Sequence, residues 1–277
     1  MKWKKILIIS GIILVVLIVL AAVYIYPSYK FFFTGGSIQI DKNLTIIQGN
    51  GGNSGLLVTD SAVVVIDTKM SGGADKLYKL AKEKAGNKKI IVINTHYHGD
   101  HVKGNHYFKG CPIYIGDYDR KFLSDNVSPE DMPDHFIRDN LYLDLGNETI
   151  CLCNLGQAHT WDDMIVLLKN HQVMFTGDLV FNQINPFLKK ESGANVDMWI
   201  MVLDKILAIP GVKTYIPGHG KPGDRSMVEL MKNYFIDMKT AAANPSQEKA
   251  LKAKYKDWTE MPMMASPGVT IDYIKGK

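Results

Sequence analysis

The sequence predicts an α/β protein with one apolar helix at its N-terminus, and three observations carry that prediction. Residues 6–26 (ILIISGIILVVLIVLAAVYIY) run without a single charge. Beyond residue 36, stretches rich in Val and Ile alternate with stretches of helical spacing, in the order strands, helices, strands, helices. Apolar residues make up 46% of the 277-residue chain and charged residues 22%, so the part after the apolar run has the composition to bury a core of its own.

The apolar run comes first. Its length as a helix is about 31 Å, which matches the hydrocarbon thickness of a bilayer. Lys2, Lys4 and Lys5 precede it, and a basic flank stays in the cytoplasm. The expectation is a cytoplasmic basic end at 1–5 and a single-pass signal anchor at 6–26. The rest of the chain then lies outside the cell membrane, in a periplasmic or extracellular setting. A cleaved signal peptide is the rival reading, but its apolar region is shorter and ends at a small-x-small site. Here Ala21-Ala22-Val23 leads into Tyr-Ile-Tyr-Pro. The net charge is +4, and three of the positive charges are those lysines, leaving about +1 for the remainder. That gives no support to a nucleic-acid partner, which usually demands a basic face.

Residues 27–36 read as a short juxtamembrane stretch. Strands are expected at 37–40, 44–48, 56–59 and 62–66, with the GNGGNSG segment at 49–55 as a hairpin turn. No Lys-Ser or Lys-Thr follows that segment, so a phosphate loop is disfavoured. A helix over 74–85 stops at Gly86-Asn87, and a strand follows at 89–94. Residues 126–147 are polar, carry Pro129 and Pro133, and read as a loop with a short helix. Strands at 149–154, 164–168 and 173–176 precede a helix at 196–208, a strand at 212–216 and a helix at 227–240. Residues 241–277 read as a Lys-rich helix with a solvated face and a Pro- and Met-rich tail. Cys151 and Cys153 sit two apart on one strand face, which reads as a poor arrangement for a mutual bond; a bond from Cys111 to either stays open.

The chemistry concentrates in Thr95-His96-Tyr97-His98-Gly99-Asp100-His101, directly after an apolar strand. Imidazole and carboxylate are suitable zinc ligands, and four of them within six residues are hard to explain as isolated surface or core groups. His96 and His98 can aim at one ion, and Asp100 and His101 at a second. Three further candidates each follow a strand between small residues: His159 in Gln-Ala-His-Thr, Asp178 in Thr-Gly-Asp-Leu, and His219 in Pro-Gly-His-Gly. His106, His135 and His171 sit in ordinary polar surroundings and read as non-catalytic.

This series, with Val65-Ile66-Asp67-Thr68 before it, resembles the metallo-β-lactamase superfamily over roughly residues 37–240. The resemblance implies a four-layer αββα sandwich with two metal ions at one edge. One ion is held by His96, His98 and His159, the other by Asp100, His101 and His219, and Asp178 bridges them. Asp67 supports the histidine loop from behind. Two Zn²⁺ are the implied cofactors, with iron or manganese as alternatives. A water shared by two cations about 3.5–4 Å apart is acidified enough to act as a nucleophile at neutral pH. Asp100 is the candidate to orient it or to pass its proton on.

The implied activity is hydrolysis of an ester, thioester, lactone or lactam bond in a small molecule. Asp178 resembles the thioesterase, lactonase, phosphodiesterase and sulfatase branches, because the antibiotic-hydrolysing branches commonly have Cys or Ser there. His159-Thr160-Trp161-Asp162-Asp163 points the other way, resembling the lactamase stretch His-Thr-x-Asp-Asn, so a β-lactamase is an alternative. A mononuclear-iron persulfide-dioxygenase-like oxidoreductase, which shares the ligand set, is another. No substrate-binding residue is fixed by a motif. Phe181, Ile184, Pro186 and Phe187 are expected to form a substrate-facing wall, with an exposed loop as the competing reading. Oligomeric state is not legible.

Overall fold

Val63 to Val92 show how the layers arise. In the computed structural model, which describes residues 2–261 and 263–276, strands β4 (Ala62–Ile66) and β5 (Lys89–Ile93) are buried on both faces. Side chains alternate sides along a strand. Val63, Val65, Ile90 and Val92 therefore pack outward on Leu77 and Ala81 of α2 (Ser71–Ala85), while Val64, Ile66, Ile91 and Ile93 point inward. Strands covered on both faces read as continuous apolar runs.

These strands lie in a seven-stranded sheet. It comprises β1 (Ser37–Gln39), β2 (Leu44–Ile47), β3 (Ser54–Val58), β4, β5, β6 (Ile113–Gly116) and β7 (His135–Ile137), in that order. The first four are antiparallel neighbours and the last four parallel. Short helices α3 (Gly99–Val102) and α4 (Arg120–Asn126) fall between β5 and β7.

The second sheet has five strands: β8 (Asn140–Asp144), β9 (Thr149–Gly156), β10 (Asp163–Leu168), β11 (Val173–Phe181) and β12 (Thr214–His219). Its Ile150, Leu152, Val166, Phe175 and Ile216 meet the inner face of the first sheet. Its outer face is covered by α5 (Val196–Ala208) and α6 (Arg225–Ala243), through Trp199, Leu203, Met231 and Phe235 against Ile165, Met174 and Tyr215. The order of layers is helix, sheet, sheet, helix, as expected.

Several expectations need correction. The polar stretch 126–147 contains strands β7 and β8, not only a loop. Both are sheet-edge strands, and β8 buries only one side, so Leu141 and Leu143 alternate with exposed Asn140, Tyr142 and Asp144. The juxtamembrane stretch is largely helical: α1 runs Lys2–Phe33, straight through position 27. The window Ile9–Tyr26 is long and apolar enough to cross a membrane and none of it is buried.

The C-terminal residues form α7 (Pro245–Ala253) and an unanticipated α8 (Pro267–Ile274), and both pack on α6. Tyr255 and Trp258 close on Tyr234, with the Trp258 ring stacked at 5.0 Å. Cys151 and Cys153 are disulfide-bonded, against expectation. Their side chains leave the same face of β9 and their Cα atoms are 5.8 Å apart, inside the usual range for a bridge. Cys111 is free and joins neither.

Candidate metal centre

Turns and strand ends at one edge of the two sheets converge on a single cluster. The turn after β5 carries His96 and His98, and α3 carries Asp100 and His101. His159 comes from the loop between β9 and β10. Asp178 lies inside β11, which runs five residues further than the sequence suggests, and His219 closes β12. The Cα register pairs Phe181 with His219 across these parallel strands.

The seven side chains sort into two groups, His96, His98, His159 and Asp178 in one and Asp100, His101 and His219 in the other. Within each group the ligand atoms lie within 4.8 Å of one another. Asp178 faces both. Its Oδ2 is 3.8 Å from His96 Nε2 and 3.4 Å from His159 Nε2. Its Oδ1 is 3.2 Å from His101 Nε2 and 3.5 Å from His219 Nε2. Asp100 Oδ2 completes the second group, 3.1 Å from His219 Nε2 and 3.6 Å from His101 Nε2. In the first, His98 Nδ1 stands 3.0 Å from His159 Nε2.

Buried polar atoms normally find partners. Among the described residues, His96 Nε2, His101 Nε2 and Asp178 Oδ1 are buried without a hydrogen bond, and all three point into the cluster. Lone pairs gathered in this way fit divalent cations, and the N and O donor set suits zinc.

Groups behind the cluster fix which nitrogen faces it. Asp67 Oδ2 accepts from His101 Nδ1 at 2.9 Å and from Thr95 Oγ1 at 2.8 Å, while Oδ1 accepts from Thr95 N at 2.8 Å. Thr95 Oγ1 is also 3.1 Å from His96 Nδ1. His101 and His96 are thereby left with Nε2 for the cluster. Asp67 achieves this at φ 58°, a left-handed conformation that Asp tolerates better than most residues.

The backbone approaches closely at two glycines. A Cβ on Gly218 would fall 1.9 Å from Asp178 Oδ1, and one on Gly52 would fall 2.2 Å from His101 Cε1. The GNGGNSG hairpin turn is thus packed directly against the histidine loop.

Burial and charge divide the histidines. Burial depresses His96 well below the usual imidazole value. It takes His98 down to about 4, against the pull of Asp100, and His159 down to about 3, with His98 adding to the effect. Burial also opposes charge at His101 and His219, but Asp178 and the other carboxylates outweigh it. His101 is held well above the usual value and His219 is raised to about 9. Asp178 stays ionised despite burial because His219 and His101 surround it.

A family model described as the metallo-beta-lactamase superfamily matches residues 47–219, more than half of the chain. The chain belongs to the metallo-beta-lactamase superfamily. Among relatives within it, a "Metallo-beta-lactamase type 2" of Bacteroides fragilis is 25% identical over 205 residues, covering 70% of this chain and 82% of that protein. One of the same name from Bacillus cereus is 25% identical over 202 residues, covering 69% and 78%. Two solved structures share the fold. A metallo-beta-lactamase from Pontibacter korlensis superposes with TM-score 0.66 at 19% identity, over 73% of this chain and 99% of that one. DIM-1 metallo-beta-lactamase gives 0.62 at 19% identity, over 72% and 95%. The superfamily makes this chain a metal-dependent hydrolase in the broad sense.

Three features of this superfamily member were given no role from the sequence, although Asp163 stands in its His-Thr-Trp-Asp-Asp stretch. Ser192 Oγ accepts from Tyr97 OH at 2.7 Å and lies 3.2 Å from His98 Nε2, so it turns His98 Nδ1 toward the cluster. Lys69 is buried, its Nζ donating to the carbonyls of Ile47 (2.6 Å) and Gly52, and burial lowers it to about 7. Asp163 accepts from Thr160 N and Oγ1, both at 2.8 Å, fixing the turn that presents His159; burial raises it to about 7.

His106, His135 and His171 are outside the cluster, on Asp131, Asp134 and Glu148 respectively. Of the proposed wall, Phe181 stacks on His219 at 5.4 Å and Phe187 stands 6.3 Å from His98. Ile184 lines an adjoining cavity of about 500 Å³. Phe181, Ile184 and Pro186 are buried while Gln183, Lys189, Lys190 and Glu191 are exposed, so the segment has a packed apolar side and a solvated one.

Proposed function

We propose that this chain is a membrane-anchored, extracytoplasmic di-zinc hydrolase that cleaves an ester, thioester, lactone or lactam bond in a small molecule. The observation that carries the reading is the split of Asp178, one oxygen toward His96 and His159 and the other toward His101 and His219. A carboxylate so placed could contribute one oxygen to each group of ligands. His96, His98 and His159 would complete the first site, and Asp100, His101 and His219 the second.

A pair of cations supplies an acidified water and polarisation of the scissile group. The protein's own part is positional. Asp67, Thr95 and Ser192 set the imidazoles. Phe181 covers the His219 ring. Asp100 is half-buried, which leaves it the ligand best placed to orient the attacking water or to return a proton to the leaving group. The helix α1, fully exposed over its apolar window, supports the anchor, and Lys2, Lys4 and Lys5 support an N-terminus on the cytoplasmic side.

The names of the Bacteroides and Bacillus relatives favour a second reading, a β-lactamase. Asp178 favours the first, by its resemblance to the hydrolase branches that do not act on antibiotics. A panel of ester, thioester, lactone, β-lactam and phosphodiester substrates, run on the zinc-loaded full chain in detergent with Asp178→Ala beside it, separates them. Turnover of esters, thioesters or lactones with loss in the variant is expected. Turnover confined to β-lactams would select the second reading. One iron per chain with oxygen uptake would replace both by the oxygenase.

A further inference from the structure

The turn between β2 and β3 is tied to both sides of the Asp100/His101/His219 group. On one side, Gly52 N donates to Asp100 O at 3.2 Å, and Gly52 lies too close to the His101 ring to carry a side chain. On the other side stands β12, the edge strand of the second sheet. Strand β11 holds one flank of its end, where Asn182 N donates to His219 O at 3.0 Å.

Asn53 holds the other flank. Its backbone N donates to Gly218 O at 2.7 Å, and its Nδ2 donates to Pro217 O and Gly220 O, both at 2.8 Å. Gln48 Nε2 adds a bond to Gly220 O at 2.9 Å and another to Asn53 Oδ1 at 3.2 Å. Asn53 lines the cavity beside His219, yet both ends of its amide are engaged within the protein. Its side chain therefore serves the loop that presents His219 rather than a ligand in the cavity.

Lys69 fixes the turn from behind. It is 1% exposed, and both its acceptors are backbone carbonyls, Ile47 O at the end of β2 and Gly52 O within the turn. Burying an ammonium is unfavourable, and two neutral acceptors offset only part of that. An apolar side chain would fill the same space without the penalty. What the ammonium adds is a link across the mouth of the turn. Met70 N, the next residue, donates to Asn50 O at 3.0 Å and continues it.

We propose that Lys69 and Asn53 are positioning residues for the Asp100/His101/His219 group, Lys69 fixing the turn and Asn53 carrying that position to the loop of His219. The turn then sets the spacing between the His101 and His219 sides of the group. Among the described residues, its bonds reach Asp100 and residues 217–220, and none reaches His96, His98 or His159. The assignment rests on the two-metal reading.

The test titrates zinc into the metal-free full chain in detergent. Histidines carry a ¹⁵N label, and long-range ¹⁵N NMR follows each imidazole separately. Asn53→Leu and Lys69→Met should each raise the zinc dissociation constant at His101 and His219 by about 10–100-fold, the range for losing a group that orients a ligand. The constant at His96, His98 and His159 should stay within about twofold, as for an independent site. The double variant should be no weaker than the worse single one, because both act through one turn. Gln48→Met, at a half-buried position, should give the same selectivity at smaller size, and it decides the matter if Lys69→Met does not fold. Ile206→Ala, buried in the outer helical layer, supplies a loss of stability without altering the turn. Weakening of both groups together, a pattern shared with Ile206→Ala, or no weakening at all overturns the proposal and leaves the two-metal reading intact. A wild-type chain that takes up a single ion removes that reading and this proposal with it.

Discussion

At the scale of single residues, the centre depends on groups that never touch a metal. Asp67 holds His101 Nδ1 and, through Thr95, steadies His96. Asp67→Asn should lower metal affinity by about 10–100-fold, the usual cost of removing such a partner. Competition with a chromophoric chelator measures it, and unchanged affinity would remove Asp67 from the account. Ser192→Ala should weaken the His96/His98/His159 group alone. The two groups should also differ in pH response. His98 and His159 are neutral well below pH 6, so protons do not compete there. His219 holds its proton up to about pH 9 in the metal-free protein, and the surrounding carboxylates raise His101 well above the usual imidazole value too; those protons must leave before a metal binds. Affinity at the second group should therefore rise between pH 6.5 and 8.5 while that of the first stays flat. Equal slopes in metal titrations at the two pH values would contradict the assignment. All seven cluster residues were legible in the sequence because ligand chemistry restricts residue type and spacing. Ser192 and Lys69 were not, because their partners are set only by how distant segments pack.

At the scale of elements, the double burial of β4 and β5 is written in their Val and Ile runs, and the hairpin turn at 49–55 in its glycines. The turn's contact with α3 is not. Gly52→Ala would place a methyl on the His101 ring. The expected outcome is loss of metal from the Asp100/His101/His219 group with the fold retained, read by metal content alongside circular dichroism. Full occupancy would show the hairpin to be incidental. Between the sheets, Phe175 is buried against both. Phe175→Ala should cost about 3–5 kcal/mol in urea unfolding; a cost under about 1 kcal/mol, the scale of a surface change, would deny the inter-sheet core. Edge strands β7 and β8 escaped the sequence reading because one solvated face dilutes the apolar signal and two nearby prolines suggest a loop. The helical extension to Phe33 escaped it because Pro27 discourages helix on local grounds.

At the scale of the whole molecule, fold and family follow from the order of the ligand motifs, while the proposed placement in the cell rests on the N-terminal helix alone. Protease added to spheroplasts should digest the catalytic part and spare a small N-terminal fragment; full protection until the cytoplasmic membrane is lysed would place the centre in the cytoplasm. The C-terminal 30 residues, which read as a lysine-rich helix with a solvated face and a tail, complete the outer helical layer and reach the cavity through Glu260. Apolar residues spaced along a short, lysine-rich helix give little hint of that. The central claim is a pair of metal ions joined by Asp178. The direct measurement is metal content by mass spectrometry of the purified full chain and its Asp178→Ala variant. Two zinc ions per chain, with at least one lost in the variant, is the predicted result; a single iron, or two metals retained without Asp178, would contradict it.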